Sequence, residues 1–440
     1  MGIYHKYKPV TFEYVKQIPD DWELLPNIAI FEERNEKGHI NEELLSVTIG
    51  KGVIKQSDLN KKDSSNPDKS NYKLVEIGDV VYSMRFRQGA SGYSNYKGLV
   101  SNACTVLKPK MKINPKFFHY QYRLPFYQNY AERYSYGIAD GQKPLRWQDF
   151  KRMYAFVPPL ETQNQIVAYL EKKEKQIKRF IKKKKELIAS LKDQKINIIN
   201  ETIHKGLNLN YKSVKTDIGY TLYHPENWNK KPLKYVVKHI SENTNQYKKG
   251  EYYLPLENIV SYFGEHTYQN EDVYFESNVK RFKKNDVLFS KLRPYLTKSV
   301  VAQVDGLCVG EILVFRPKKE MNPEFLNYIL LSQRFIDFVN SSSYGTKMPR
   351  ASWDLIGRVE ISYPKNLIVQ EQIVLKIKSK LKKIDSTIEK TTEEIKLSED
   401  LLKSLIEQVV TGKLKVPNTY VAKKDTIGLA AEPANTYNTP

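Results

Sequence analysis

Two basic segments laced with aromatic residues carry the side chains best suited to chemistry in this chain, and each occurs twice. The first, Ser83-Met84-Arg85-Phe86-Arg87-Gln88-Gly89-Ala90-Ser91-Gly92-Tyr93, has a counterpart in Ser290-Lys291-Leu292-Arg293-Pro294-Tyr295-Leu296-Thr297-Lys298. The second, Tyr136-Gly137-Ile138-Ala139-Asp140-Gly141-Gln142-Lys143-Pro144-Leu145-Arg146-Trp147, is matched by Tyr344-Gly345-Thr346-Lys347-Met348-Pro349-Arg350-Ala351-Ser352-Trp353. Arginine and lysine grip phosphate or the edge of guanine, glutamine pairs with adenine, and serine or threonine does either. Glycine lets the backbone come close to a ligand. The candidates for binding are therefore Arg85, Arg87, Gln88, Lys143 and Arg146 in the first half, and Lys291, Arg293, Lys298, Lys347 and Arg350 in the second. An ordinary solvated loop would have similar composition, and recurrence in register would also follow from a shared fold.

Recognition rather than bond-making is the chemistry on offer. The sequence holds no G-x-x-x-x-G-K-[ST], G-x-G-x-x-G, Gly-x-Ser-x-Gly or His-Glu-x-x-His. Seven histidines are scattered, none spaced as a metal-binding pair, so no metal is expected. Asn114-Pro115-Lys116-Phe117 and Asn322-Pro323-Glu324-Phe325 come near the Asn-Pro-Pro-Phe/Tyr loop of amino-methyltransferases. A charged residue replaces the second proline in both, so they read instead as helix starts, with Asn as cap and Pro at the first helical position. The net charge of +21 favours a polyanionic partner, because neutralising phosphates releases counterions. Lysine far outnumbers arginine, and Asn, Ile and Tyr are abundant, the usage expected of an AT-rich genome, which would account for part of the charge without any binding role. Cys104 and Cys308 lie at nearly equivalent places in apolar runs and read as small buried residues in a reducing cytosol.

What positions these loops is a duplicated unit. Pro19-x-x-Trp22 returns as Pro225-x-x-Trp228, 206 positions later. Gly78-Asp79-Val80-Val81-Tyr82-Ser83 returns as Asn285-Asp286-Val287-Leu288-Phe289-Ser290, and Gln163-Asn164-Gln165-Ile166-Val167 as Gln370-Glu371-Gln372-Ile373-Val374. Each unit opens with short β-branched runs and turn residues, the pattern of strands. It closes with a stretch free of Gly and Pro, from about Glu161 to His204 and from about Val369 to Thr411, ended by Gly206 and Gly412. Continuous helices there would run on the order of 65 Å. Apolar residues recur in three-four steps at Leu170, Ile177, Ile181, Ile188, Leu191 and Ile198, and at Ile377, Leu381, Ile384, Ile388, Ile395, Leu402 and Leu405. Glu174, Lys184 and Lys195 interrupt the first seam, which leaves pairing in its middle open. The two helices are expected to pair antiparallel; the alternative is that each packs on its own globular part.

Together these motifs resemble the specificity subunit of type I restriction–modification systems. The carriers are Pro-x-x-Trp, the Gly/Asn-Asp-Val turn, Asn-Pro-x-Phe, the Tyr-Gly…Lys…Arg loop and the Gln-x-Gln-Ile-Val opening of each helix. Their order, repeated twice over about residues 15–416, is the specific signal. The resemblance implies an α+β chain with two similar mixed α/β target-recognition domains, 1–157 and 211–364. Two long antiparallel coiled-coil helices, within 158–210 and 365–416, would separate them in a pseudo-two-fold repeat. A disordered tail would follow at 417–440. It further implies a cytoplasmic, bacterial or archaeal DNA-binding subunit without catalysis or cofactor, whose domains each read half of a bipartite site while the helix pair sets the spacer. Its partners would be double-stranded DNA, two methyltransferase subunits using S-adenosylmethionine, and restriction/translocase subunits using ATP and Mg2+; no membrane is implied. Two rivals stand beside it: a coiled-coil protein that bridges DNA without sequence preference, and an enzyme with an unrecognised site.

Overall fold

A computed structural model describes residues 2–59, 68–135, 144–207, 212–215, 223–244, 251–269, 279–345 and 348–417. The chain divides into two compact units, Met1–Lys182 with Ile395–Pro440, and Lys183–Glu394. Of the expected tail, 417–440, all but Pro417 lies outside the described residues.

Each unit is built on the same antiparallel four-stranded sheet. In the first, the order is Phe31–Arg34, Thr105–Pro109, Val80–Tyr82, Ser91–Tyr93; in the second it is Val237–Ile240, Ile312–Pro317, Val287–Ser290, Ser299–Val301. The register repeats as well. Leu107 faces Val80 as Phe315 faces Val287, and Pro109 faces Phe31 as Pro317 faces Val237. A two-stranded sheet then receives the end of each globular part, Tyr154–Val157 on Glu23–Pro26 and Glu360–Pro364 on Trp228–Pro232. Divergence lies at the margins. Among the described residues, Lys73–Val75 forms a two-stranded sheet with Gly98–Val100 in the first unit, whereas its counterpart Val279–Phe282 belongs to a second four-stranded sheet containing one parallel pair.

The Gly/Asn-Asp motif explains itself locally. Gly78 and Asn285 both take positive φ, 100° and 70°, the conformation those two residue types tolerate best. The following aspartate folds back to accept the backbone N–H three residues earlier, Asp79 from Glu76 and Asp286 from Lys283, each at 2.8 Å. A guanidinium then neutralises each buried carboxylate, supplied by Arg34 in one unit and by Arg316, from the adjacent strand, in the other.

The remaining motifs meet in one joint, built twice. Asn114 caps the helix Pro115–Tyr122 and Asn322 caps Pro323–Leu331, each side chain accepting from the N–H two residues on. Their own backbone N–H groups are held at 2.8 Å by Gln163 and Gln370, the buried glutamines that open the long helices. Those glutamines donate in turn to Pro158 and Pro364 carbonyls, also at 2.8 Å. Trp22 meets Phe117 edge-on at 6.1 Å, as Trp228 meets Phe325. Against each tryptophan sits the glycine that ends a long helix: Gly412 on Pro19 and Trp22, Gly206 on Trp228. Each joint therefore grips the start of one long helix and the end of the other. In the first unit, Gly2 and Lys415 also exchange backbone hydrogen bonds at 3.3 and 2.8 Å, tying the two ends of the described chain together.

The long helices run Leu160–Lys205 and Leu367–Val410. Within the second unit they are antiparallel neighbours: Lys184 pairs with Glu394 at 2.6 Å and Lys195 with Asp385 at 2.5 Å, so one number rises as the other falls. Within the first unit, Ile166, Val167 and Leu170 share a core with Val409 and Val410. Ile377, Leu381, Ile384 and Thr391 are buried, while Ile177, Ile181, Ile188, Leu191, Ile198, Ile388, Ile395, Leu402 and Leu405 are half-buried. The helix ends also pack on the globular parts, as Ile199, Ile203, Ile373 and Val374 do in the second unit. Pairing and packing on the heads thus coexist. Lys184 and Lys195 interrupt the first helix's apolar seam but do not leave it unpaired, because each meets an acid of the other helix, and such polar seam positions set register. Phe263 adds a ring 4.1 Å from the Lys195 ammonium.

One expectation is corrected. Both cysteines are buried and free, yet they are not equivalent. Cys308 lies in the strand Gly306–Cys308, whose counterpart is Gly98–Val100, whereas Cys104 immediately precedes Thr105–Pro109. Among the described residues, no helix is long and apolar enough to cross a membrane.

The joint yields a stability prediction. Gly412 has φ +74°, and a Cβ there would lie 2.5 Å from Pro19 Cδ; Gly50 has φ +90° with nothing within 4 Å. Gly412→Ala should cost roughly 2–4 kcal/mol and Gly50→Ala about 1 kcal/mol, the difference being steric. Denaturant unfolding of the two variants measures it; equal losses would show that the joint yields to the methyl group.

Candidate nucleic-acid interface

Burial of one aromatic ring fixes the first basic turn. Phe86 is fully buried within 6.3 Å of the Tyr82, Tyr122, Tyr127 and Phe150 rings, and it anchors the short turn Phe86–Gln88. Gly89, at φ +87°, ends that turn beside Gln128. With Phe86 inward, Arg85 and Gln88 are exposed, while Arg87 is half-buried and reaches Glu132 at 2.9 Å. Arg146 is exposed and directly precedes the short helix Trp147–Phe150, whose Phe150 lies 5.8 Å from Phe86. One aromatic contact thus links the turns that carry Arg85, Gln88 and Arg146. Lys143 lies outside the described residues.

In the second unit, the two basic segments are joined by backbone. Arg293 N–H donates to Pro349 at 2.7 Å and Ala351 N–H to Lys291 at 2.9 Å. Arg350 and Lys291 both face Glu311, at 3.2 and 3.8 Å. Lys298 is directed elsewhere, its ammonium donating to the Leu256 carbonyl at 2.8 Å. Lys347 lies outside the described residues. Behind the segment, Trp353 stacks on His239, with ring centroids 4.9 Å apart and planes 25° apart. Burial, with Lys280 nearby, holds His239 below the usual imidazole range.

Sequence reasoning missed Glu311, Glu132 and the exposed Tyr295 and Tyr344. The tyrosines were visible within the quoted segments. The two glutamates had no signal, because each meets its cation only through long-range folding. Among the described residues, no three His, Cys, Asp or Glu side chains gather as they would around a metal ion.

The globular parts are therefore two related frames that present different basic, aromatic-edged turns, a geometry for recognition of a polyanion. Comparison with known proteins points in the same direction. Residues 19–190 match the type I restriction modification DNA specificity domain. Over 437 residues the chain is 24% identical to a putative type I restriction enzyme MjaX specificity subunit of Methanocaldococcus jannaschii, covering 93% of this chain and 98% of that protein. It is likewise 24% identical over 365 residues to the MjaVIII specificity subunit of the same organism, covering 78% and 81%. The fold is shared with a chain from a structure of a type I restriction–modification system, at TM-score 0.64 and 15% identity over 90% of this chain and 99% of that one. It is shared also with the HsdS subunit from Thermoanaerobacter tengcongensis, at TM-score 0.54 and 16% identity over 92% and 100%. Over most of its length the chain is thus similar to specificity subunits of type I restriction enzymes, and residues 19–190 carry the match to the DNA specificity domain.

A pH dependence follows from the first unit. His119 lines a cleft of about 1010 Å³ with Tyr93, Arg123, Glu174 and Lys178. Burial, with Arg123, Lys178 and Lys116 nearby, pushes its imidazole down to about 3. The unfolded imidazole protonates at its ordinary value, so the unfolded chain binds more protons in between, and stability falls as pH drops below that value. Asn327 occupies the same place in the second repeat. His119→Asn should therefore flatten the decline in stability between about pH 7 and pH 5; thermal unfolding at both values, with parallel declines for variant and wild type, would contradict it.

Proposed function

We propose that this chain reads duplex DNA at two separated half-sites, one with each unit, and has no catalysis of its own. Two methyltransferase subunits using S-adenosylmethionine, and restriction/translocase subunits using ATP and Mg2+, assemble with it and do the chemistry. One observation carries this reading: the joint's cap-to-glutamine and glutamine-to-proline hydrogen bonds recur in both units, while the basic turns have diverged. A bridging protein without sequence preference would gain nothing from two unlike sets of basic turns. The surplus positive charge adds sequence-independent affinity for the backbone, and the turns supply discrimination.

Two experiments test it. Arg350→Ala should weaken binding by about 1–3 kcal/mol at the second unit's half-site and leave the other unchanged, as Arg146→Ala should do for the first. Quantitative binding to duplexes altered in one half-site at a time reads this directly, and equal loss at both halves would contradict separate reading heads. Two extra turns in the first long helix should widen the unspecified gap between half-sites; an unchanged gap would argue against helix length as its determinant.

A further inference from the structure

The second unit's basic turn is held by a carboxylate and by strained backbone. Glu311 lies where three segments meet: its carbonyl accepts from Lys291 N–H at 3.0 Å, and Ala351 and Arg293 close the other two contacts. Its side chain takes Arg350 in a two-pronged grip, Oε2 to Nε at 3.3 Å and Oε1 to Nη2 at 3.2 Å, with Lys291 Nζ 3.8 Å from Oε2. All three side chains stay partly open to solvent, at 39% for Arg350, 30% for Lys291 and 29% for Glu311. A ligand can reach them without unfolding the turn.

Backbone strain singles out the same place. Among the described residues, four that are not glycine have positive φ, and three cluster here: Arg293 at 48°, Thr297 at 49° and Tyr262 at 71°. Tyr262 N–H donates to the Thr297 carbonyl at 2.9 Å. Such conformations are costly and persist where the surroundings over-determine them, commonly at binding sites. Exposed Tyr295 and Tyr344 flank the turn. The sheet register places Ala103 where the second unit has Glu311, so the first unit carries no acid at that point.

We infer that Glu311 is a specificity-determining positioning residue for the second half-site, resting on the half-site reading above. Its carboxylate fixes the fork of Arg350 in one orientation and lowers the charge that Arg350 and Lys291 offer to phosphate. A flexible, unpaired arginine would grip any backbone; a restrained one gains most where a base edge matches its direction. Glu311 touches no DNA in this role. It acts through its two cations by raising the ratio of specific to random binding.

The test uses the full chain with its methylating partner, random-sequence duplex, and duplex selected by the wild-type complex from a randomised pool. Glu311→Gln should tighten binding to random duplex about threefold to tenfold and steepen the log affinity against log salt slope by about one, as one more phosphate is engaged. Discrimination at the second half-site should fall about tenfold, with none lost at the first. Glu311→Asp, which keeps the charge, should retain the wild-type salt slope. An unchanged slope in Glu311→Gln, or the same steepening in Glu311→Asp, would overturn the inference. If the wild-type complex selects no consensus, the half-site reading fails on its own; the charge-restraint role is then still decided by the two salt slopes on random duplex.

Discussion

Everything distinctive about this chain depends on a buried glutamine. Gln163 and Gln370 each accept from the N-cap backbone of a short helix and donate to the proline carbonyl just before a long one. In a buried joint such bonds are worth more for what their loss would leave than for their own net strength. An unpaired buried donor or acceptor costs about 1–3 kcal/mol. The glutamine therefore fixes where a long helix leaves the globular part, and the tryptophan–glycine contact fixes where the other long helix arrives. With both constraints present, each unit is locked to two helices of opposite direction.

That joint separates two physical demands. Within it, a side chain in place of Gly206 or Gly412, both at positive φ, or the loss of a tryptophan would break the packing. Residues on the turns beyond it can change freely so long as their anchors stay buried. Phe86 anchors one turn through aromatic packing, and backbone pairing among 291–293, 311 and 349–351 anchors the other. Different anchors on the same frame give two units that present different exposed side chains.

The frame was legible in the sequence and the turns were not, for physical reasons. Asn-Pro caps, Gly/Asn before Asp, and long stretches without Gly or Pro act through neighbours in sequence, so their pattern states their structure. The duplication also exposed the sheet, since equivalent strands recur at offsets of 206–208. Lys184 and Lys195 misled because their acids, Glu394 and Asp385, come from the other helix. Cys104 and Cys308 misled because small shifts in offset turn a near match into neighbouring, unlike positions. Glu311 was invisible for the strongest reason: its role arises only where three segments far apart in sequence converge, and no local pattern records that.

The most direct test of the account is selection of bound duplexes from a randomised pool by the full chain with the methyltransferase subunits proposed to assemble with it. Two heads on one frame predict a consensus of two short, unlike blocks separated by a gap of fixed length and no preferred sequence. A single continuous block, or no consensus above random, would contradict it.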